Sequence, residues 1–184
     1  ASVASPHSTS ICARTAAVIF ASCVEAEGDA SGGQAPRPTL TERLRGIAAG
    51  AGMAVCGPNC MGIFNAHPSV ALHATFSPVA PLPGRVAMST QSGALGLAIL
   101  DYARRLHIGF STFVSVGNKA DVSSNDLIQY WAEDPHTDVI LLYLESFGNP
   151  KKFSEIARRV ARTKPIIAVK AGRSTAGSRA AASH

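Results

Sequence analysis

Between residues 85 and 170 the sequence repeats one pattern: a short apolar run, a polar break, then apolar residues at helical spacing. The apolar runs fall at 85–88, 110–116, 138–144 (DVILLYL) and 165–170 (PIIAVK). Continuous apolar runs of this length read as strands buried on both faces. The segments between them read as helices. Ser92-Gly93 opens one that continues to about Leu106. Ser123 or Ser124 caps a second, with Leu127, Ile128 and Trp131 on one face. Asn149-Pro150 starts a third, with proline at its first position and an apolar stripe of Phe153, Ile156 and Val160. Strands alternating with amphipathic helices imply right-handed crossovers and a parallel sheet. The expected fold class is therefore α/β.

The front of the chain is sparser. Residues 16–21 (AAVIFA) form an apolar run expected to be a strand buried on both faces. Residues 26–38 are rich in Gly, Ala, Ser and Pro and read as a loop. Thr39 can cap a helix, with Glu42 three residues on completing a capping box, and helical spacing then runs to Gly50 or Gly52. A short strand at 53–55 leads into Gly57-Pro58-Asn59-Cys60. Residues 66–84 hold four prolines and little periodicity, and read as a linker. The expected division is a front unit at 1–65, the linker at 66–84 and a second unit at 85–184.

Composition narrows the function classes. Of the 184 residues, 46% are hydrophobic, which excludes a disordered polymer. No window approaches the ~18–20 apolar residues of a membrane span, and no charged segment leading into an apolar run marks a leader. The expectation is a cytoplasmic protein without a membrane segment. Net charge is +5. Residues 1–83 carry four basic and four acidic side chains, whereas 84–184 carry thirteen and eight. An excess confined to one unit suits small anionic ligands. With 6% aromatics and no recognition motif, nucleic acid is not the expected partner. Cys56 and Cys60 lack the second pair that a zinc site needs, so Cys12, Cys23, Cys56 and Cys60 read as free thiols and no metal site is expected.

Ligands of parallel sheets bind where loops leave the carboxyl ends of the strands. Loops 89–93, 117–122, 145–149 and 171–184 all leave on one edge. Thr90, Gln91, Ser92 and Gly93 lie between a strand and a helix, where outward N–H groups bind phosphate or carboxylate or simply begin a capped helix. Gly117, Asn118 and Lys119 offer flexible backbone, an amide and a cation, or a tight turn. Glu145 directly follows an apolar strand; a carboxylate there is either partly desolvated and in need of a cationic or imidazole partner, or a solvated loop residue. His184 lies among small residues, where an imidazole is either exposed or free to approach a phosphoryl group as a nucleophile. Pro58, Asn59 and Cys60 form either a tight turn over a buried thiol or a ligand-contacting loop.

Five stretches together carry a family resemblance: GPNCMGIFN (57–65), ATFSPVAPLPGRVAMSTQSGALG (74–96), FVSVGNKADV (113–122), VILLYLES (139–146) and KPIIAVKAGRSTAGSRAAASH (164–184). In this order and spacing they resemble the α-subunit, or α-like part, of the NDP-forming acyl-CoA synthetases. That group includes ADP-forming acetyl-CoA synthetase and the succinyl-CoA synthetase α-subunit. The resemblance implies the rear part of a Rossmann-like CoA-binding domain followed by a flavodoxin-like parallel-sheet ligase domain. It implies acyl-CoA and phosphate giving acyl phosphate and free coenzyme A, with the phosphoryl group passing through a histidine to ADP. It makes His184 the phosphorylated histidine and Glu145 the residue that orients it. It places Thr90 to Gly93 at the phosphate, and Asn59 and Cys60 near the thiol end of CoA. ADP/ATP and Mg2+ would sit on an ATP-grasp domain or β-subunit outside this chain, in an oligomer. Thr90 stands where the family usually has serine, which keeps the hydroxyl. Cys23-Val24-Glu25-Ala26 stands where it usually has Gly-Phe-x-Glu. No glycine-rich turn follows a first strand, so the chain is expected to start inside the CoA-binding domain and to be inactive alone. The competing expectations are an acyl-CoA or nucleotide-sensing module of an acetyltransferase fusion, and a flavin-binding protein. Aromatics not grouped at the strand-end loops weigh against the last.

Overall fold

A computed structural model describes residues 16–21 and 38–172. The elements in chain order are β1 (Ala16–Val18), α1 (Leu40–Gly50), β2 (Ala54–Cys56), β3 (Gly62–Asn65), β4 (Leu72–Thr75), β5 (Pro83–Thr90), α2 (Gly93–Arg105), β6 (Phe110–Ser115), α3 (Ser124–Glu133), β7 (Val139–Leu144), α4 (Pro150–Val160) and β8 (Ile166–Lys170). Among the described residues six strands form one sheet in the order β4-β3-β6-β5-β7-β8, and β1 pairs with β2 in a separate two-stranded sheet. The strands β5 to β8 are mutually parallel. Each of the connections from β5 to β8 runs through one helix, as the alternating pattern requires.

The two faces of the large sheet bury different layers. On one face α3 and α4 cover Val114, Ile140, Leu142 and Leu144, with Trp131, Ile128, Ile156 and Val160 filling the space beneath. On the other face α2 brings Leu100 and Ala103 against Met88, Phe110, Phe113 and Met61. Gly96 sets how close α2 lies: a Cβ there would stand 2.9 Å from both Phe113 Cζ and Thr90 Cγ2. The first turn of α2 is thereby held against the end of β5.

Local chemistry fixes the helix starts. The Thr39 hydroxyl accepts from Glu42 N at 3.1 Å, and Glu42 Oε2 accepts from Thr39 N at 2.8 Å, which is the expected capping box. Asn149 Oδ1 accepts from Lys152 N at 3.0 Å, with Pro150 opening α4.

Three expectations need correction. The run at 16–21 contributes only the three residues of β1. They are exposed or half-buried because, among the described residues, the strand pairs on one side alone, with β2. The last strand, β8, lies at the sheet edge with Ile167 57% and Val169 58% exposed. Residues 66–84 are not a plain linker. They contain β4, which pairs antiparallel with β3, and β3 pairs antiparallel with β6. The large sheet thus reaches back past residue 85 to Gly62. These strands are four residues each, too short to show period-two alternation, and the four prolines fall outside β4.

Candidate functional site

The carboxyl ends of β5, β6, β7 and β8 lie along one edge of the sheet, so the loops after β5, β6 and β7 converge there as expected. At the end of β5, Thr90 is fully buried and its hydroxyl donates to Ser92 O at 2.8 Å. Ser92 is the N-cap of α2, its hydroxyl accepting from Leu95 N at 3.4 Å. Among the described residues this leaves the N–H groups of Gly93 and Ala94 open at the positive end of the α2 dipole.

The adjacent loop after β7 is held by three side chains. Gln91 Oε1 accepts from Glu145 N and from Ser146 N, both at 2.9 Å, and Gln91 Nε2 donates to Ser146 O at 2.7 Å. Lys119 Nζ donates to the hydroxyl and the carbonyl of Ser146. Lys170 Nζ donates to Glu145 O at 2.8 Å and also to Ala171 O. Burial lowers the pKa of the Lys119 ammonium, the Glu145 charge works against that, and Lys170 adds to the lowering. The Glu145 oxygen Oε2 is buried without a hydrogen-bond partner among the described residues. A carboxylate oxygen taken out of water and left unpaired costs several times what an ordinary hydrogen bond returns.

The front unit reaches the same edge. Residues 55–61 run along 115–122, with Val122 N on Val55 O (3.0 Å), Ala120 N on Gly57 O (2.9 Å) and Asn118 N on Pro58 O (2.9 Å). Asp121 Oδ2 accepts from Val55 N at 2.9 Å, and Arg45 Nε donates to Ala120 O at 2.6 Å. Asn59 Nδ2 donates to Asn118 Oδ1 at 3.3 Å. Gly117, at φ 51°, is required at this seam: a Cβ there would run into the Pro58 carbonyl oxygen. Cys60 is buried, with Sγ donating to Ile19 O at 3.3 Å. Its hydrogen bond with Cys56 holds the Cys60 thiol below its ordinary value, and the same bond, with burial, pushes Cys56 above it.

Thr90, Gln91, Ser92, Gly93, Gly117, Asn118, Lys119 and Glu145 therefore share one edge, and Pro58 and Asn59 are bonded to it. His184, Cys12 and Cys23 lie outside the described residues, as do most of loop 26–38 and most of loop 171–184. Lys170 and Ser146 complete the arrangement and were missed from sequence. The signal for Lys170 was the one that marked Glu145, a charge at the end of an apolar strand. A cavity of about 230 Å3, lined in part by Asn65, His67, Thr112, Asp134 and His136, opens at the opposite edge and holds none of the predicted site residues. Among the described residues no cluster of three or more His, Cys, Asp or Glu side chains is placed to hold a metal. Among the same residues no helix is long and apolar enough to cross a membrane.

The sheet is a mainly parallel α/β one, and in such sheets ligands bind at the carboxyl ends of the strands. Residues 83–184 match the succinyl-CoA ligase like flavodoxin domain, and the chain belongs to that family. It is 46% identical over 145 residues to an ADP-forming acetate–CoA ligase I of Archaeoglobus fulgidus, covering 79% of this chain and 21% of that protein. It is 49% identical over 133 residues to the alpha subunit of ADP-forming acetate–CoA ligase II of Pyrococcus furiosus, covering 72% of this chain and 28% of that subunit. Among solved structures it is similar to a Ca. Korarchaeum cryptofilum acetyl-coenzyme A synthetase 1 in complex with phosphate and ADP. The TM-score is 0.77 at 43% identity, covering 92% of this chain and 35% of the other. The chain thus spans about a fifth to a third of the length of these relatives.

Proposed function

We propose that this chain is the α-like part of an NDP-forming acyl-CoA synthetase, and that its strand-end edge is where acyl-CoA, phosphate and a phosphoryl-carrying histidine meet. The observation that carries the reading is the buried Glu145 Oε2, without a partner among the described residues, beside the N-terminus of α2, whose first N–H groups are open among the same residues. An unpaired carboxylate oxygen is an acceptor for an imidazole N–H, and open helix N–H groups are donors for phosphate. The relatives named above are CoA ligases, which favours this reading over a sensing module.

In the proposed reaction a phosphate oxygen attacks the thioester carbonyl carbon. The C–S bond breaks, CoA leaves as thiolate and takes up a proton, and acyl phosphate forms. A ring nitrogen of His184 then attacks phosphorus, the bond to the acyl oxygen breaks and the carboxylate leaves. Glu145 accepts the N–H of the other ring nitrogen and stabilises the charge that develops on the imidazole. Gly93 and Ala94 N–H face the phosphate, and Lys119 supplies a nearby cation. Pro58, Asn59 and Cys60 line the approach of the CoA thiol. On this reading residues 1–65 belong to the rear of a CoA-binding domain. Transfer to ADP with Mg2+ takes place on an ATP-grasp partner, in a cytoplasmic oligomer.

The test uses the full-length enzyme with its nucleotide-binding part, incubated with acyl-CoA and radiolabelled phosphate. Acid-labile label on the protein is expected for the wild type and none for His184→Ala. A His184→Ala enzyme that still takes up label overturns the assignment.

A further inference from the structure

The family resemblance places Gln91 among the phosphate contacts, but its bonds lie elsewhere. The side chain is 2% exposed. Its amide oxygen has two lone pairs, and Glu145 N and Ser146 N occupy both. Its amide nitrogen is committed to Ser146 O. With Lys170 on Glu145 O and Lys119 also on Ser146 O, all four backbone polar groups of residues 145 and 146 are tied down by side chains. Three of those four belong to Gln91. The pattern it meets is two N–H groups and one carbonyl. A carboxamide offers an acceptor for both N–H groups and a donor for the carbonyl in one planar group. A carboxylate lacks the donor, and Lys or Arg lacks the acceptor.

From this geometry we infer that Gln91 is a positioning residue for Glu145: it fixes the main chain of residues 145 and 146 so that the Glu145 carboxylate is held at the strand edge with one oxygen unpaired among the described residues. The inference rests on the proposed role of Glu145 toward His184 and deepens it. A loop free to turn would swing that oxygen into water and lose the cost of burying it. Locked by Gln91, the oxygen stays where an imidazole N–H can reach it, and no reorganisation is needed when the ring becomes charged.

The experiment is made on the full-length enzyme with Gln91→Leu and Gln91→Glu. For Gln91→Leu, phosphoenzyme formation at saturating phosphate is expected to fall by about 10²-fold, the scale of a misplaced catalytic group. The KM for phosphate is expected to change by less than about threefold, because no phosphate contact is removed. Hydrogen exchange at the Glu145 and Ser146 amides should speed up. A raised KM for phosphate with an unchanged maximal rate makes Gln91 a phosphate ligand and overturns the inference, as does an unchanged rate. Where Gln91→Leu does not fold, Gln91→Glu decides. Its protonated carboxyl can again donate to Ser146 O, so its deficit relative to wild type should shrink as pH is lowered. A deficit that stays flat with pH overturns the inference. A wild type that takes up no label refutes the phosphohistidine reading, and amide exchange then tests the clamp alone. Faster exchange upholds it and unchanged exchange overturns it.

Discussion

Strand β7 carries a carboxylate at each end, Asp138 before it and Glu145 after it. Asp138 is more than half exposed and fully partnered. Arg85 Nη2 donates to its Oδ1 at 2.7 Å, Arg85 Nε donates to its Oδ2, and this bond holds the carboxyl below its ordinary pKa. Glu145 has two ammonium groups near it, yet both are bonded to main-chain carbonyls of residues 145 and 146, and among the described residues Oε2 is left without a partner. The cheaper arrangement, an ion pair in water, stands at the amino end of the strand, and the costly one stands at the carboxyl end. Parallel topology gives the two ends different surroundings. Among the described residues, only the carboxyl end receives the loops from β5 and β6 and the first turn of α2. The difference teaches that charge at a strand end is informative when its partners are withheld from it.

Three measurements would break or sharpen that contrast. The largest effect is expected from Trp131→Ala, which empties the layer beneath the sheet and belongs to neither end. Its side chain is fully buried, and the loss should be about 3–5 kcal/mol of stability. Denaturant unfolding checks it, and the damage should appear at both ends alike. Glu145→Gln comes next. It should slow phosphoenzyme formation by about 10²-fold, leave CoA affinity nearly unchanged, and leave Tm unchanged or higher, because an unpaired charge has been removed. Equal losses in phosphorylation and CoA binding would count against an orienting role. The smallest effect belongs to Asp138→Asn. An exposed ion pair contributes little, so activity should be unchanged and Tm should move only slightly. Because folding lowers the Asp138 pKa, the pair's contribution is fully present above the ordinary value of 3.8 and is lost as pH falls through the lowered folded value. The Tm difference between wild type and Asp138→Asn should therefore close below that pH.

The parallel core was legible because its strands are long apolar runs and its helices carry clear caps. Ser92, Asn149 and the Thr39–Glu42 pair each mark a helix start with a side chain that bonds the first turn. Convergence of Thr90 to Gly93, Gly117 to Lys119 and Glu145 followed from strand direction alone. The antiparallel strands β3 and β4 were not legible. What stabilises them is backbone pairing, β4 with β3 and β3 with β6, a partner some fifty residues away in sequence, not a local pattern. Nor was the seam between 55–61 and 115–122, which depends on backbone hydrogen bonds and one Asp121 carboxylate.

The sequence by itself determined the layered α/β architecture, the edge on which the candidate site residues gather and their types, because periodicity and strand direction are local properties. Tertiary structure alone decided how those residues are used. Gln91, grouped with the phosphate residues in sequence, spends its amide on residues 145 and 146, and Lys170 joins them from another strand. Hydrogen-bond capacity is finite, and which groups remain open can be known only once every neighbour has taken its share.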